Sequence, residues 1–384
     1  MTKPLEGVRV LDFSTTFSGP YCTMHLADLG ADVVKIEAPG GDITRGLGIN
    51  RESGMASVYI AANAAKASVE LDLKDPDDRA YLELLIAEAD AVVHNMRPQA
   101  ADRIGIGVDS VMALNPTVVH LAITGYGTDG PYAGRPAYDD TIQAMSGLAW
   151  LQGLHTEPTY VATAIADKVT GLSAAMALIA GLYAREHTGE GQAIEVPMYE
   201  TMVGFNLMEQ WGGRAFIPAE GPTAYARLRS PHRRPYRTLD GVISVVVYHE
   251  GHWRRFLEAV GRSDILELEE YSTTEARSRN TDGLYSFLAQ ELETRTSAHW
   301  IELLDRLDIP VARVNSLDDL FDDEHLNAVG FFREIGPEGD RYLSARPAVR
   351  FQSDVQASGE IPAPDRLGQG RVRADAWLSN PRRS

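Results

Sequence analysis

Cysteine, positive charge and long apolar runs are all scarce in this chain. Its single cysteine, Cys22, excludes an intrachain disulfide and a metal cluster built from cysteines. Its 36 Lys and Arg residues are outnumbered by 54 Asp and Glu residues, which leaves a formal net charge of −18 at pH 7. A field of this sign repels nucleic acid and membrane surfaces. We therefore expect no nucleic acid and no membrane among its partners.

No apolar segment approaches the ~20 residues that are needed to span a bilayer. The opening, Met1-Thr-Lys-Pro, leads into a strand instead of the apolar run of a signal peptide. These two observations predict a cytoplasmic location. With 44% apolar content in 384 residues, the chain can bury the cores of two domains.

Strands and helices alternate through the first third of the chain. A strand is predicted at 8–13, a helix at 21–29 and a second strand at 30–37. Apolar and polar residues alternate at 69–73, and a helix at 76–89 and strands at 91–94 and 118–124 follow. This order predicts an α/β fold with a Rossmann-like, open, mostly parallel sheet covered by helices. The turn at 15–20 has one glycine where a nicotinamide-binding turn has three, so an NAD site is not expected.

The pattern changes near Ser230. Residues 237–247 predict a hairpin with Asp240-Gly241 at its turn, and helices are predicted at 252–260, 284–292 and 297–307. We interpret this part of the chain as a smaller α+β domain.

One acid, Asp167, lies at the start of an apolar helix. Residues 164–171 read Ala-Ile-Ala-Asp-Lys-Val-Thr-Gly, and residues 171–183 are small and apolar on nearly every side, which is typical of a buried helix. Taken alone, this pattern favours an acid that caps the helix or stabilises its first turn by ~0.5–2 kcal/mol. A functional carboxylate is the alternative.

Segments along most of the chain support that alternative. They include Leu26-Ala-Asp-Leu-Gly-Ala-Asp-Val-Val-Lys-Ile-Glu37 and Ala89-Asp-Ala-Val-Val-His-Asn-Met-Arg-Pro98. Further segments lie at 4–13, 18–20, 66–76, 134–147, 188–197, 309–315 and 362–368. In order and spacing they resemble the class III CoA-transferases of the CaiB/BaiF type, a family that includes formyl-CoA transferase, carnitine CoA-transferase and the α-methylacyl-CoA racemases.

The resemblance implies an organisation for the whole chain. It divides the sequence into a large CoA-binding Rossmann-like domain (1–225), a small α+β domain (226–335) and a C-terminal return that packs on the large domain (336–384). It also implies that two protomers interlock as a homodimer.

The resemblance implies a catalytic role for Asp167. In the transferases the matching acid attacks an acyl-CoA thioester and passes through an acyl anhydride and an aspartyl-CoA thioester. CoA is then both substrate and carrier, the second substrate is a carboxylic acid, and no metal is required. Asp139 matches an auxiliary acid that is a glutamate in formyl-CoA transferase. Capping of a helix at 141–148 by Asp139 or Asp140 is the alternative.

Position 138 separates activities within the family. The racemases have a histidine there that shares proton abstraction with the acid that matches Asp167, whereas this chain has Tyr138. A phenol with a pKa near ~10 is a poor base at neutral pH. CoA transfer is therefore the favoured function. The alternatives are an acyl-CoA racemase or isomerase with Asp167 as its base, and a CoA-binding protein without turnover.

The resemblance also implies a set of CoA contacts. Lys74 and Arg103 would pair with phosphates, although solvated surface charges would look the same in the sequence. Formyl-CoA transferase has an arginine where this chain has Ala38, and Arg97 is a candidate replacement. It also has a glutamine at the position of Phe17, so an apolar or bulkier acyl group is expected instead of oxalate. The full set is Thr16, Phe17, Ser18, Leu71, Lys74, Asn95, Met96, Arg97 and Arg103.

Two other groups of residues indicate no specific function. The basic run from Arg227 to Arg234 could bind the second carboxylate of a dicarboxylic acid or contact the acidic surface of a second subunit. His94, His120 and His249 lack nearby acids or cysteines at ligand spacing, so we interpret them as structural and expect no metal.

Overall fold

The computed structural model describes residues 3–51, 55–223, 225–351 and 362–380. Contacts divide the chain into two units. The large unit comprises Met1–Gly153, Glu157–Asn206 and Gly330–Ser384, and the small unit comprises Leu154–Thr156 and Leu207–Val329. The domain boundaries inferred from the resemblance remain a prediction. Residues 1–2 of the opening, and residues 352–361 and 381–384 of the C-terminal return, lie outside the described residues.

A six-stranded parallel sheet forms the centre of the large unit. Its strands are β1 (Arg9–Asp12), β2 (Asp32–Glu37), β3 (Ala67–Glu70), β4 (Ala91–His94), β5 (Val119–Thr124) and β6 (Gln192–Pro197). They lie in the order β3-β2-β1-β4-β5-β6. Val10 of β1 pairs with Val33 on one side and with Ala91 on the other. The predicted α/β fold with a parallel sheet is confirmed. Strand order reverses between β1 and β4, and ligands of such sheets bind at the carboxyl ends of the strands at that point.

Helices cover both faces of this sheet. They are α1 (Ser18–Asp28), α2 (Ser57–Asn63), α3 (Pro76–Ala87), α4 (Pro98–Arg103), α5 (Val108–Leu114), α6 (Asp139–Met145), α7 (Leu148–Gln152), α8 (Ile165–Thr188) and, at the end of the chain, α15 (Arg371–Ser379). One core holds Val10, Val93 and Leu121 with residues of α1 and α8. The other core holds Leu11 and Val92 with α3 and α15. Successive strand residues thus point to opposite cores.

The helix α8 is long and apolar enough to cross a membrane, judged by length and composition alone. This differs from the expectation that no segment approaches that length. Its buried face consists mostly of alanine, glycine and leucine and packs on α1, β5 and β6. Gly171 allows this close approach, because a Cβ there would lie 2.6 Å from the backbone oxygen of Ser18. The packing is that of a core helix in an α/β unit.

The small unit has its own core. The predicted hairpin forms between β7 (Tyr236–Arg237) and β8 (Val242–Val245), and β9 (Val311–Arg313) adds a third antiparallel strand. Trp253, Phe256 and Trp300 are buried among its helices. These helices are α10 (Glu250–Ala259), α11 (Thr274–Arg279), α12 (Thr281–Leu292), α13 (Ser297–Arg306) and α14 (Glu324–Ala328). The helix α9 (Met198–Leu207) follows β6, and the hairpin of β10 (Phe332–Ile335) and β11 (Tyr342–Ala345) belongs to the large unit.

Candidate active site

A cavity of about 220 Å³ opens at the carboxyl end of the parallel sheet. Segments that follow β1, β4 and β5 form its walls, so it lies at the point where the strand order reverses. This is the expected location of a ligand site in a doubly wound sheet. The lining residues include Thr15, Thr16, Ser18, Asn95, Met96, Arg97, Thr124, Gly125, Tyr126, Arg135, Ala137, Tyr138, Asp167 and Met198.

Asp167 lies in the first turn of α8 and lines this cavity. Burial and the charge of Asp139 raise the pKa of the Asp167 carboxyl to about 6, against the opposing effect of hydrogen bonding from Ser18. The partly buried carboxyl therefore remains mostly ionised at neutral pH but is more basic than an exposed aspartate. Strongly shifted acids in cavities are typical of catalytic groups.

Asp139 holds the start of α8 in place. Its Oδ1 atom accepts a hydrogen bond from the backbone N–H of Asp167 at 3.0 Å. Its Oδ2 atom accepts one from Nε2 of Gln143 at 2.6 Å, and Oε1 of Gln143 accepts one from the backbone N–H of Val161 at 2.9 Å. The alternative prediction that Asp139 caps its own helix is therefore wrong. Tyr138 is the N-cap residue of α6, and the Asp139 carboxylate binds a backbone N–H in the first turn of α8 instead.

The loop between β1 and α1 forms a second wall, and Asn95 fixes its position. The Asn95 side chain accepts from the backbone N–H of Thr15 at 3.0 Å and donates to the Thr15 carbonyl at 2.8 Å. Thr16 has a positive φ of 70°, a conformation that is uncommon for a residue with a Cβ. The predicted contact residues Thr16, Ser18 and Asn95 are thus brought together, with Met96 and Arg97 beside them.

Buried charged residues hold this loop in place. Asp12 accepts hydrogen bonds from Ser14 and Thr23 and forms an ion pair with Lys66 at 3.2 Å. Lys35 donates to the Ser14 carbonyl and pairs with Asp42 at 3.1 Å. Burial alone would raise the pKa of Asp12, but the two lysines and the hydroxyl groups lower it to about 2. Burial lowers the pKa of Lys66 to about 8.

The segment after β5 forms the third wall. A Cβ at Gly125 would lie 2.4 Å from the Cβ of Ala137, so glycine is required for this segment to pack against the end of the strand. Arg135 stacks on the ring of Tyr132, 4.3 Å from its centre. Tyr132 contacts Tyr126 and Tyr199, with ring centres 5.5 and 6.3 Å away. Arg135 and these tyrosines are site residues that the sequence alone does not identify, although Arg135 lies in the family-like segment 134–147.

Four predicted CoA contacts do not line this cavity. Leu71 is buried in the core beneath α3, whereas Lys74 and Arg103 are exposed. Phe17 is the N-cap residue of α1. Lys74 follows β3, and Ala38 and Arg97 follow β2 and β4, so these three residues lie towards the carboxyl ends of strands, whereas Arg103 is the last residue of α4. Their contacts with CoA remain predictions.

The basic run and the histidines lie elsewhere. Arg227 donates to the hydroxyl group of Tyr285 at 2.6 Å within the small unit. His94 and His120 line a second cavity of about 270 Å³ in the large unit, and burial lowers both of their pKa values. Nε2 of His120 lies 3.0 Å from the Ile106 carbonyl. Within the described ranges, no group of three His, Cys, Asp or Glu side chains is placed to hold a metal ion.

Comparison with known proteins decides the family. The sequence model described as CoA-transferase family III matches residues 5–369. The chain belongs to this family. The succinyl-CoA:mesaconate CoA-transferase of Haloarcula marismortui is 31% identical over 94% of this chain and 93% of its own length. The succinyl-CoA:glutarate CoA-transferase of Mus musculus is 30% identical over 96% of this chain and 84% of its own length.

Solved structures agree with the family assignment. A CAIB/BAIF family protein from Brucella suis superposes with a TM-score of 0.81 at 28% identity, covering 98% of this chain and all of that one. Rv3272 from Mycobacterium tuberculosis gives a TM-score of 0.82 at 27% identity and covers 97% of this chain and 99% of its own. The protein is an enzyme of CoA-transferase family III.

Proposed function

We propose that the enzyme moves CoA from a dicarboxylic acyl-CoA, such as succinyl-CoA, to a second carboxylic acid through covalent intermediates on Asp167. The observation that carries this proposal is Asp167 itself, a partly buried carboxylate with a raised pKa in the cavity at the switch point of the sheet. The succinyl-CoA donors in the names of two relatives support the choice of donor.

The proposed reaction has four steps on one carboxylate. Asp167 attacks the donor thioester carbonyl, the C–S bond breaks, and an anhydride and the CoA thiolate form. The thiolate attacks the aspartyl carbonyl and releases the donor acid, which leaves an aspartyl-CoA thioester. The acceptor carboxylate then displaces the thiolate and forms a second anhydride. The thiolate attacks the acceptor carbonyl, which yields the new acyl-CoA and restores Asp167.

The surroundings of Asp167 suit these steps. A pKa of about 6 leaves roughly nine-tenths of the carboxyl ionised at pH 7 and makes it a better nucleophile than an ordinary aspartate. The N-terminus of α1 lies beside it, and Ser18 forms hydrogen bonds with it from both its side chain and its backbone. Such donors stabilise the oxyanions of tetrahedral intermediates. A partly enclosed site also slows hydrolysis of an anhydride.

CoA occupies the carboxyl edge of the sheet in this proposal. The loop 15–18 and the segment 95–97 flank the switch point and hold the pantetheine arm near Asp167. Arg97 lines the cavity, whereas Lys74 and Arg103 lie outside it and pair with phosphates farther along the edge. Replacement of Arg97 by alanine should weaken the binding of free CoA.

The proposal includes the interlocked homodimer. Leu172, Met176 and Tyr183 are 43%, 66% and 68% exposed and share one face of α8, and Phe205 of α9 is 51% exposed. Such large apolar side chains on a surface support a subunit contact. Light scattering should give twice the mass of one chain, and Met176→Glu should shift the mass towards that of a monomer. A monomeric native protein would refute this part.

Isotope labelling tests the proposed route. With an acceptor acid that carries ¹⁸O in its carboxylate, each turnover leaves one ¹⁸O atom on Asp167, because the second anhydride is cleaved at the acceptor carbonyl. Peptide mass spectrometry should find the label on Asp167. Turnover without label on Asp167 would contradict the proposal. Solvent deuterium at Cα of an acyl-CoA, with no CoA transfer, would favour the racemase alternative, which Tyr138 makes less suitable.

A further inference from the structure

Among the cavity residues, Arg135 has no role in the proposed chemistry so far. It lies in the wall after β5, four residues before Asp139, whose carboxylate holds the backbone of Asp167. Arg135 shares the cavity with Asp167, and Arg97 belongs to the wall after β4. Both arginines line the cavity, and within the described part of the chain neither forms an ion pair shorter than 4.0 Å.

The position of Arg135 is built by several contacts. Its guanidinium carbon lies 4.3 Å from the ring centre of Tyr132, and its backbone N–H donates to the Tyr132 carbonyl at 3.1 Å. Tyr132 packs against Tyr126, which is only 5% exposed. The next residues pack on Gly125 where no side chain would fit. A guanidinium that is stacked in this way has lost part of its freedom before a ligand binds, which favours affinity.

Charge explains why the cavity needs such a group. The protein has a formal net charge of −18, and both Asp167 and Asp139 lie at the reacting end. An acyl group with a second carboxylate would be repelled there unless a cation were close. A planar guanidinium binds a carboxylate through two parallel hydrogen bonds, which a single ammonium group cannot do.

We infer that Arg135, stacked on Tyr132, binds the distal carboxylate of a dicarboxylic substrate and thereby selects dicarboxylic over monocarboxylic acyl groups. This inference rests on the proposed function for its substrate class. Because donor and acceptor react in turn at Asp167, one arginine serves both acids. The basic run from Arg227 to Arg234 is then not required for this recognition.

A binding experiment tests the inference without turnover. Succinyl-CoA and butyryl-CoA both have four-carbon acyl groups and differ at C4, which is a carboxylate in one and a methyl group in the other. Calorimetry with the Asp167→Asn enzyme should show that Arg135→Gln weakens succinyl-CoA binding by about 10- to 100-fold. Binding of butyryl-CoA should change by less than about twofold, and Arg135→Lys should restore part of the succinyl-CoA affinity.

Matched variants separate the alternative outcomes. Arg97→Ala should weaken both ligands alike, and the exposed Arg254→Ala in the small unit should weaken neither. Equal loss of both ligands in Arg135→Gln would overturn the inference, because Arg135 would then contact CoA. An unchanged succinyl-CoA affinity would overturn it as well. Failure of the proposed function would give a different result, because the ¹⁸O label would then be absent from Asp167 while the preference for succinyl-CoA persisted.

Discussion

Replacement of Asp139 by asparagine tests the electrostatics of the site. Desolvation and the Asp139 charge together raise the pKa of Asp167 from 3.8 to about 6. The substitution removes the charge and leaves the desolvation, so the pKa of Asp167 should fall to a value between these limits. Asp167 must be ionised to attack, and the acidic limb of kcat/KM should therefore move to lower pH.

The structure also gives the cost of this substitution. Asparagine keeps an oxygen that can accept from the N–H of Asp167, but its amide would face Nε2 of Gln143, which is also a donor. A flip of Gln143 would relieve this conflict and lose its bond from the Val161 N–H. The loss of one such hydrogen bond costs about 1 kcal/mol of stability.

The assay is the pH dependence of kcat/KM for CoA transfer, with native enzyme, Asp139→Asn and a control. Asp140→Asn is the matched control, because Asp140 is exposed and adjacent on the same turn. The native midpoint should lie near pH 6 and remain there in the control. A midpoint in Asp139→Asn that is unchanged or higher than the native one would show that the Asp139 charge does not raise the pKa of Asp167.

Three further predictions concern stability. The pKa of Asp167 is about 6 in the folded protein against an ordinary value of 3.8, so ionisation of this carboxyl destabilises the folded state as the pH rises through this window. Asp167→Asn should therefore abolish transfer but make the protein more stable at high pH. In urea titrations its free energy of unfolding should be higher by about 1–3 kcal/mol at pH 8 and unchanged at pH 3. Gly171→Ala should lower the free energy of unfolding by about 1–3 kcal/mol and slow acylation, because the new Cβ would collide with the backbone of Ser18. Gly204→Ala in α9 is the control: a Cβ there would have no atom within 4 Å, so this variant should be neutral or stabilising. Lys66→Met should cost about 3–5 kcal/mol by leaving Asp12 buried without this partner, and an unchanged unfolding midpoint would contradict it.

Strands β1 to β5 of the parallel sheet were predictable because each shows in the sequence as a short apolar or alternating run, whereas β6 was not predicted. The ends of the strands and helices were less predictable. Strand β3 ends at Glu70, whereas the alternation continues to residue 73, because Asp72 and Asp75 form a turn that caps α3. The helix expected at 141–148 is divided into α6 and α7 at Gly147, which has a φ of +86°.

The position of Asp167 was predictable from the apolar helix that follows it, whereas its environment was not. The acid that caps α8 is Asp139, 28 residues away along the chain. A contact of this kind depends on how α6 packs beside α8, which no local pattern encodes. Arg135 was missed for the same reason, since its significance comes from its stacking on Tyr132 and from the cavity that it shares with Asp167.

Chemical trapping would show whether Asp167 carries the covalent intermediates. Native enzyme and Asp167→Asn would be incubated with succinyl-CoA and hydroxylamine, and the intact proteins would be weighed by mass spectrometry. We expect a hydroxamate on the native protein alone, located at Asp167 by peptide mapping, because hydroxylamine captures an activated aspartyl group. The same adduct on both proteins, or CoA transfer by the native enzyme without any adduct, would contradict this expectation.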